Sequence, residues 1–172
     1  MKILVASLVL CLVIAQTDAT RRYCGRRGSW RCAPWWSWRC PPGWSAYKGR
    51  CLRYIPKPMT WAQAELNCRS MKGTLASVHN IHEYHKVQQI ITAASHGYST
   101  TWIGGSDAQQ EKLWLWSDGS SFDYSYWCRG EPNNFHGKQH CLQINYSVKK
   151  CWDDVHCGVK LPSVCARKFS LF

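Results

Sequence analysis

Oxygen-bearing side chains are concentrated in two short stretches of the sequence. Glu131, Asn133 and Gln139 belong to the first stretch, and Asp153 with Asp154 forms the second. Carboxylate and carboxamide oxygens are the ligands that a hard cation such as Ca²⁺ requires. A cysteine-rich segment separates the two stretches. The sequence therefore predicts a small-ligand site with bound calcium within residues 131–154.

Histidines raise the alternative of a zinc enzyme. His79, His82 and His85 occur every third residue, but the sequence has no His-Glu-x-x-His motif and no Ser, His and Asp set at a recognisable spacing. We therefore predict that the chain is not an enzyme. His136 and His140 border the oxygen-rich stretches. They either make binding depend on pH in the weakly acidic range or are exposed loop histidines without that role.

The first 19 residues have the features of a secretory signal peptide. Lys2 gives a positive start, an apolar run covers residues 3–15, and the small residue Ala19 precedes the expected cleavage site. The apolar run is too short to cross a bilayer comfortably, and no later segment is long enough. From the total of 172 residues we expect a secreted protein with one domain, an extension and no transmembrane segment.

The cysteines agree with an oxidising compartment. Cys11 lies in the signal peptide, and the ten that remain are an even number, which suits a fully oxidised framework. A structural disulfide is therefore the expected state of each remaining cysteine. This usage argues against a cysteine hydrolase.

The net charge of +12 is unevenly distributed along the chain. Ten Lys and Arg residues and no Asp or Glu lie between residues 20 and 64, and arginines alternate with tryptophans in residues 20–39. Guanidinium and indole groups together adsorb to anionic surfaces, so this basic arm is expected to reach anionic microbial surfaces. The alternative is a solvated arm closed by a Cys24–Cys32 bridge. Nucleic acid is not an expected partner, because a secreted protein seldom meets it.

From residue 40 onward the sequence predicts a compact α+β domain. Cys40 and Cys51 flank a short hairpin, and Thr60 with Gln63 has the spacing of a helix capping box. Gly73 is expected to end that helix in a left-handed turn. Residues 74–78 then resume extended structure.

A second helix is predicted to start at Asn80, with Glu83 as its reciprocal capping partner. Its apolar stripe contains Ile81, Tyr84, Val87 and Ile91. Short segments rich in aromatic residues follow, at residues 102–105 and 113–116. Two helices followed by several short strands indicate an α+β fold in which the helices pack on antiparallel sheets.

The order of these landmarks resembles a C-type lectin domain over residues 40–168, with a short tail at residues 169–172. The resemblance is to the secreted lectins of fish in the ladderlectin and nattectin group and to the related type II antifreeze proteins. It rests on Cys40, Cys51, Cys68, Trp102-Ile103-Gly104-Gly105, Glu131-Pro132-Asn133, Cys141, Trp152-Asp153-Asp154, Cys157 and Cys165.

The resemblance also implies a disulfide pairing that spacing alone cannot choose. The implied bridges are Cys40–Cys51, Cys68–Cys165, Cys141–Cys157 and, as in the fish subgroup, Cys128–Cys151. Cys24 and Cys32 are left over. They pair with each other or join two chains into a homodimer or a larger oligomer.

The resemblance further implies a calcium site made by Glu131, Asn133, Gln139, Asp153 and Asp154, around a cis Glu131-Pro132 bond. The first four of these residues would also contact the sugar. Two positions depart from the family pattern, because Gln139 replaces a glutamate and Asp153 replaces an asparagine. The two changes conserve the total charge, so calcium binding is still expected, but they alter the hydrogen bonds offered to a sugar.

The implied function is a secreted, calcium-dependent lectin that recognises microbial surface glycans in innate defence. In the family, Glu-Pro-Asn accompanies mannose-type sugars. The alternatives are a calcium-independent lectin for galactose or lactose, a surface-active antimicrobial protein, a loop that binds no ion, and, with less support, an ice-binding protein. The sequence Asn145-Tyr146-Ser147 is also an acceptor for N-glycosylation.

Overall fold

The computed structural model describes residues 40–169. The predicted signal peptide, the basic arm with Cys24 and Cys32, and the end of the tail lie outside these residues. The described part has two α-helices, α1 (Trp61–Ser70) and α2 (Ile81–Ser95), and eight strands. The strands are β1 (Ser45–Tyr47), β2 (Arg50–Met59), β3 (Thr74–Leu75), β4 (Thr101–Ser106), β5 (Leu115–Trp116), β6 (Cys141–Tyr146), β7 (Cys151–Val155) and β8 (Leu161–Lys168).

The strands form one sheet in the order β1-β2-β8-β4-β6-β7, with β3 added to β8 and β5 to β4. All but one of the pairings are antiparallel, and the parallel one joins β4 to β8 at Trp102 and Ser163. This α+β architecture is the predicted fold class. The strand order places the β6–β7 hairpin at one edge of the sheet. A long connection, residues 117–140, runs from β5 to β6 and contains a short 3₁₀ turn, Phe135–Gly137.

Helix α1 begins as the sequence predicts but ends differently. Thr60 and Gln63 form the capping box in both directions. The residue in the left-handed conformation is Lys72, with φ of 60°, not Gly73. A Cβ on Gly73 would lie 2.4 Å from the Ala166 carbonyl oxygen. Glycine is therefore required there because strand β8 approaches closely, not because of the backbone angle.

Helix α2 is capped by Asn80, whose side chain accepts from the Glu83 amide. The predicted return bond is not formed. The Glu83 carboxylate instead accepts from the His79 amide at 3.0 Å and from the Arg50 guanidinium at 3.0 Å. Glu83 therefore connects the start of the helix to strand β2. Tyr84, which follows it and belongs to the apolar stripe, is buried.

The core is unusually aromatic beside the predicted site. Trp152 is fully buried, and it has rings of other aromatic residues on several sides. Those rings belong to Tyr84, Trp116, Phe122, Tyr124 and Trp127, with centroids 5.7–6.2 Å from that of Trp152. Aromatic side chains of this size contribute a large share of core stability. The position before Asp153 is thus fixed by packing, so β7 cannot move easily beneath the site.

Four disulfides fasten this framework, and each joins a pair that the resemblance implied. They are Cys40–Cys51, Cys68–Cys165, Cys128–Cys151 and Cys141–Cys157. Cys151 is the first residue of β7 and Cys157 lies two residues beyond its end, so the last two bridges fasten the chain on each side of Asp153 and Asp154. Within residues 40–169, neither helix is both long and apolar enough to cross a membrane.

Candidate functional site

The candidate site lies where the long connection meets strand β7. The Glu131-Pro132 peptide bond is cis, as the resemblance implied. The connection is held to β7 because the Cys128 amide donates to the Trp152 carbonyl at 2.9 Å. Cys128 is also bonded to Cys151. Glu131 is therefore brought directly beside the acidic pair of β7.

Three of the five predicted ligands converge at this point. Oxygen atoms of Glu131, Asp153 and Asp154 all lie within 4.8 Å of one another. Asp153 is 7% exposed and Asp154 is 1% exposed. Glu131 Oε2 is buried and has no hydrogen-bond partner in the described structure. Such an orphaned oxygen beside two buried carboxylates is the donor arrangement that a divalent cation satisfies.

The electrostatics of the cluster agree with this interpretation. Burial, followed by the charges of Asp153 and Asp154, raises the pKa of Glu131 to about 7. Burial also raises the pKa of Asp153, even though a hydrogen bond from Gln143 opposes the change. Three carboxylates this close repel one another when ionised. The residues present therefore fit a calcium ion, which would compensate their charge.

Asp154 has a second role in holding the loop. Its Oδ1 accepts from the Asn133 amide at 2.9 Å and its Oδ2 accepts from the Asn134 amide at 2.8 Å. Both carboxylate oxygens thus fix the backbone that follows the cis proline. The same oxygens keep further lone pairs for a metal.

Asp153 is oriented by a residue that the sequence did not single out. Gln143 Nε2 donates to Asp153 Oδ2 at 2.6 Å, and the two residues are paired across the β6–β7 hairpin. A signal was present in the sequence, since a polar residue inside the apolar strand Cys141–Tyr146 needs a buried partner. The strand register that supplies this partner becomes visible only in the structure.

Gln139 lies in the loop but is turned toward its backbone. Its side-chain Oε1 accepts from the Phe135 backbone amide at 2.7 Å. The backbone amide of Gln139 donates to Asn134 Oδ1 at 2.9 Å. The side-chain oxygen predicted to bind the metal therefore stabilises the 3₁₀ turn in this structure. Asn134, which sequence reasoning passed over, connects Gln139 to Asp154.

Two exposed side chains lie on the outer surface of the loop. Asn133 is exposed, so its carboxamide is open to a ligand. Phe135 is 62% exposed, and its ring centroid is 4.0 Å from that of His136. An exposed apolar ring in the loop that follows Glu131 offers a stacking surface to a ligand. Phe135 is a second residue that the sequence alone did not identify.

A further group of possible ligands contains Asp107, Glu111 and His140. His140 Nδ1 is 3.1 Å from Asp107 Oδ1 and 3.6 Å from Glu111 Oε2. Glu111 also accepts from Asn134 Nδ2, so this group is connected to the loop that follows Glu131. His136, the other bordering histidine, is exposed beside Phe135.

Asn145 has little room for a glycan in the folded domain. Its side chain is 2% exposed. The side-chain amide donates to the Ser99 carbonyl at 3.1 Å, and its oxygen accepts from Gln88 Nε2 at 2.9 Å. A sugar on this nitrogen would have to displace these contacts. Asn145 stays a candidate acceptor whose side chain is packed in the folded domain.

A comparison with known protein families identifies the family of this chain. The Lectin C-type domain model matches residues 57–167. The chain belongs to the C-type lectin family. It is a carbohydrate-binding family whose lectins are non-enzymatic binding proteins, which agrees with the prediction that the chain is not an enzyme.

Relatives of this C-type lectin domain include lectins and antifreeze proteins of fish. Ladderlectin of Oncorhynchus mykiss is 44% identical over 68% of this chain and 62% of its own length, so the match spans less than two thirds of that relative. The galactose-specific lectin nattectin of Thalassophryne nattereri is 38% identical over 69% of this chain and 74% of its length. A type-2 ice-structuring protein of Osmerus mordax is 34% identical over 95% of this chain and 92% of its length.

Solved structures show the same fold. The herring type II antifreeze protein has a TM-score of 0.71 at 34% identity, with 76% of this chain and all of that chain covered. The C-type lectin CEL-I of Cucumaria echinata has a TM-score of 0.73 at 26% identity, with 77% and 99% covered. A Ca²⁺-dependent and a calcium-independent type II antifreeze protein are both similar to this chain. The fold is therefore shared by calcium-dependent and calcium-independent proteins.

Proposed function

We propose that the chain is a secreted lectin that binds a glycan at a calcium site formed by Glu131, Asp153 and Asp154. The observation that carries this proposal is the unpartnered, buried Oε2 of Glu131 beside the two buried carboxylates of β7. Microbial surface glycans are the proposed targets. Residues 20–39 are proposed to add attachment to anionic surfaces, because their charge is entirely positive.

In the proposed site, some residues would bind the metal and others would contact the sugar. Glu131, Asp153 and Asp154 would hold Ca²⁺, which, when bound, offers coordination positions to sugar hydroxyls. The exposed carboxamide of Asn133 donates and accepts hydrogen bonds, whereas carboxylates only accept. Gln143 and Asn134 orient the acidic residues and the loop. Ordering of the site before the ligand arrives reduces the entropy lost on binding.

The type of sugar follows from the loop sequence and its two departures. Glu131 and Asn133 flank the cis proline as in mannose-type sites, so a mannose-type glycan is the proposed ligand. Asp153 offers only acceptors on its side of the site. Gln139 uses one lone pair of its side-chain oxygen within the loop, so it offers a sugar less acceptor capacity than a free carboxylate would. We therefore expect the site to bind a smaller range of mannose-type sugars than a site with the usual glutamate and asparagine.

A glycan array measured with calcium and again with a chelator tests the proposed function. We expect retention on mannose-type glycans that falls by at least about tenfold in chelator, because the carboxylates repel without the ion. The variant Glu131→Gln should bind weakly in both conditions, and Asp123→Asn serves as its control because Asp123 is exposed and its carboxylate faces His79. Undiminished binding in chelator would remove the metal from the function. Freezing-point hysteresis without glycan retention would favour ice binding.

A second candidate is a galactose- or lactose-binding lectin, and the exposed ring of Phe135 favours it. A galactose ring presents an apolar face that packs on an aromatic side chain. Two relatives are a galactose-specific lectin and a lactose-binding lectin, whereas the function of this chain must be measured. We expect Phe135→Ala to weaken binding to lactose by about tenfold while leaving mannose binding within about twofold. Equal loss for both sugars would indicate a disturbed loop and no stacking role.

A further inference from the structure

A separate pocket lies beside the β6–β7 hairpin, near the turn that joins the two strands. Its volume is about 140 Å³, enough for a small ligand group. The lining contains three tyrosines, two lysines, one histidine and one glutamine. They are Tyr84, His85, Gln88, Tyr98, Tyr126, Lys149 and Lys150, and we call them the tyrosine–lysine pocket.

The lysine side of this pocket is held in place by buried groups. The Tyr84 hydroxyl donates to the Lys150 carbonyl, and Gln88 Nε2 also reaches that carbonyl, at 3.4 Å. Burial raises the pKa of Tyr84, so its hydroxyl stays a donor. The next residue, Cys151, is bonded to Cys128. The backbone that carries Lys149 and Lys150 is therefore ordered before any ligand arrives.

The charge of the pocket is positive without compensation. No carboxylate is present in the lining that the structure describes. Within residues 40–169, the ion pairs of the structure also leave out both Lys149 and Lys150. Lys150 Nζ lies 5.7 Å from the ring centroid of Tyr98. Ammonium groups beside aromatic rings are complementary to a ligand that combines an anionic group with a flat apolar face.

We propose that the tyrosine–lysine pocket binds an acidic saccharide unit that carries a carboxylate, sulfate or phosphate group. The anionic group meets the ammonium groups of Lys149 and Lys150. The sugar ring packs against Tyr98 and Tyr126, which are 52% and 39% exposed. Tyr126 is fixed by its own contact with Tyr84, at 5.3 Å between ring centroids.

This pocket requires no metal and is distinct from the carboxylate site. The two share one hairpin, since Lys150 precedes Cys151 at the start of β7 and Asp153 follows two residues later. At about 3.3 Å per residue, Lys150 and Asp153 are about 10 Å apart along the strand. A glycan long enough to reach both would bind more strongly through the second attachment.

Titration calorimetry of the full secreted chain in chelator tests the pocket separately from the proposed function. The probes are a sulfated disaccharide prepared from heparin, sialyllactose and, as the neutral comparison, lactose. We expect both acidic probes to bind the wild type at least about tenfold more tightly than lactose. The double variant Lys149→Gln with Lys150→Gln should lose that preference. The matched pair Lys57→Gln with Lys160→Gln, two exposed lysines outside the pocket, should keep it.

Several results would contradict the proposal that the tyrosine–lysine pocket binds an acidic saccharide. Equal loss in both double variants would mean that overall charge, including that of residues 20–39, causes the preference. Unchanged binding of Tyr126→Ala, or competition by inorganic sulfate as strong as that by the disaccharide, would remove the ring contact. Failure of the wild type to bind either acidic probe in chelator would refute the pocket while leaving calcium-dependent binding untouched. If only calcium-dependent glycan binding were absent and the acidic probes still bound in chelator, the proposed function would fail and the pocket proposal would be supported.

Discussion

Replacement of Asp154 by alanine should remove the proposed calcium binding and lower the free energy of unfolding by about 3 kcal/mol. The carboxylate is 1% exposed and accepts from the amides of Asn133 and Asn134. Hydrogen bonds to a charged acceptor are stronger than neutral ones, and both amides would lose their partner at once. The loop after the cis proline would then lose its connection to β7. The effect should be the largest of any single change within the site.

Two measurements separate the structural part of this effect from the metal part. Denaturant unfolding in chelator reports the loss of the hydrogen bonds alone, and calcium titration reports the ligand. Asp154→Asn keeps one acceptor, so it should lose calcium binding but less stability than Asp154→Ala. Asp123→Ala is the control, because its carboxylate is exposed and faces His79. A stability of Asp154→Ala within about 0.5 kcal/mol of wild type would contradict the loop-holding role.

Features set by short-range rules were predicted from the sequence. The capping box of Thr60 and Gln63 needs only residues three positions apart, and it is present in both directions. The apolar stripe of α2 follows from its period, and Tyr84, Val87 and Ile91 are buried as expected. The fold class followed from the order of these elements. The disulfide pairs needed the family resemblance, because spacing permits many connectivities.

Features set by tertiary contacts were not predictable in this way. Gly73 was expected for its backbone angle, but its requirement comes from the Ala166 carbonyl, which lies far along the chain. Glu83 was expected to cap α2, but Arg50 on strand β2 competes for its carboxylate. In both cases a partner more than 30 residues away decides the role. Periodicity and spacing along the chain carry no information about such partners.

The site shows the same division. The types of the residues indicated calcium, and Glu131, Asp153 and Asp154 do meet. The orientation of Gln139 toward the Phe135 amide depends on the path of the loop, which the residue type alone does not indicate, and its ligand role stays a prediction. Gln143 was missed because its pairing with Asp153 arises from strand register.

The metal-free domain should lose stability as pH rises, and Glu131 should be a main cause. Its pKa is about 7 in the folded protein, above the ordinary 4.5. Below about pH 4.5 the carboxyl is protonated in both states. Between about pH 4.5 and about pH 7 the unfolded chain ionises first, which favours unfolding, and above that the cost is constant. Burial raises the pKa of Asp153 too, and this acts in the same direction.

The acidic groups with lowered pKa values do not obscure the loss of stability expected between about pH 4.5 and about pH 7. Hydrogen bonds from Ser120 and Ser77 outweigh burial and hold the pKa of Asp118 below its ordinary value. The hydrogen bond to His79 is the main reason that the pKa of Asp123 is also low. Groups with lowered pKa stabilise the fold above their unfolded pKa and lose that stability only as pH falls below about 4. Their effect is therefore constant between about pH 5 and about pH 8.

Urea unfolding of wild type and Glu131→Gln without metal, at about pH 5 and about pH 8, measures the effect directly. Glutamine does not ionise, so the difference between the two proteins isolates Glu131 from every histidine. We expect the wild type to fall relative to Glu131→Gln by about 1 kcal/mol between these pH values, less than the full pKa change implies because the side chain is partly exposed. Calcium should reverse the loss at about pH 8 in the wild type and not in the variant, since it stabilises the ionised carboxylate. A difference that does not vary with pH would show that Glu131 ionises freely and that the three carboxylates are too weakly coupled to demand a cation.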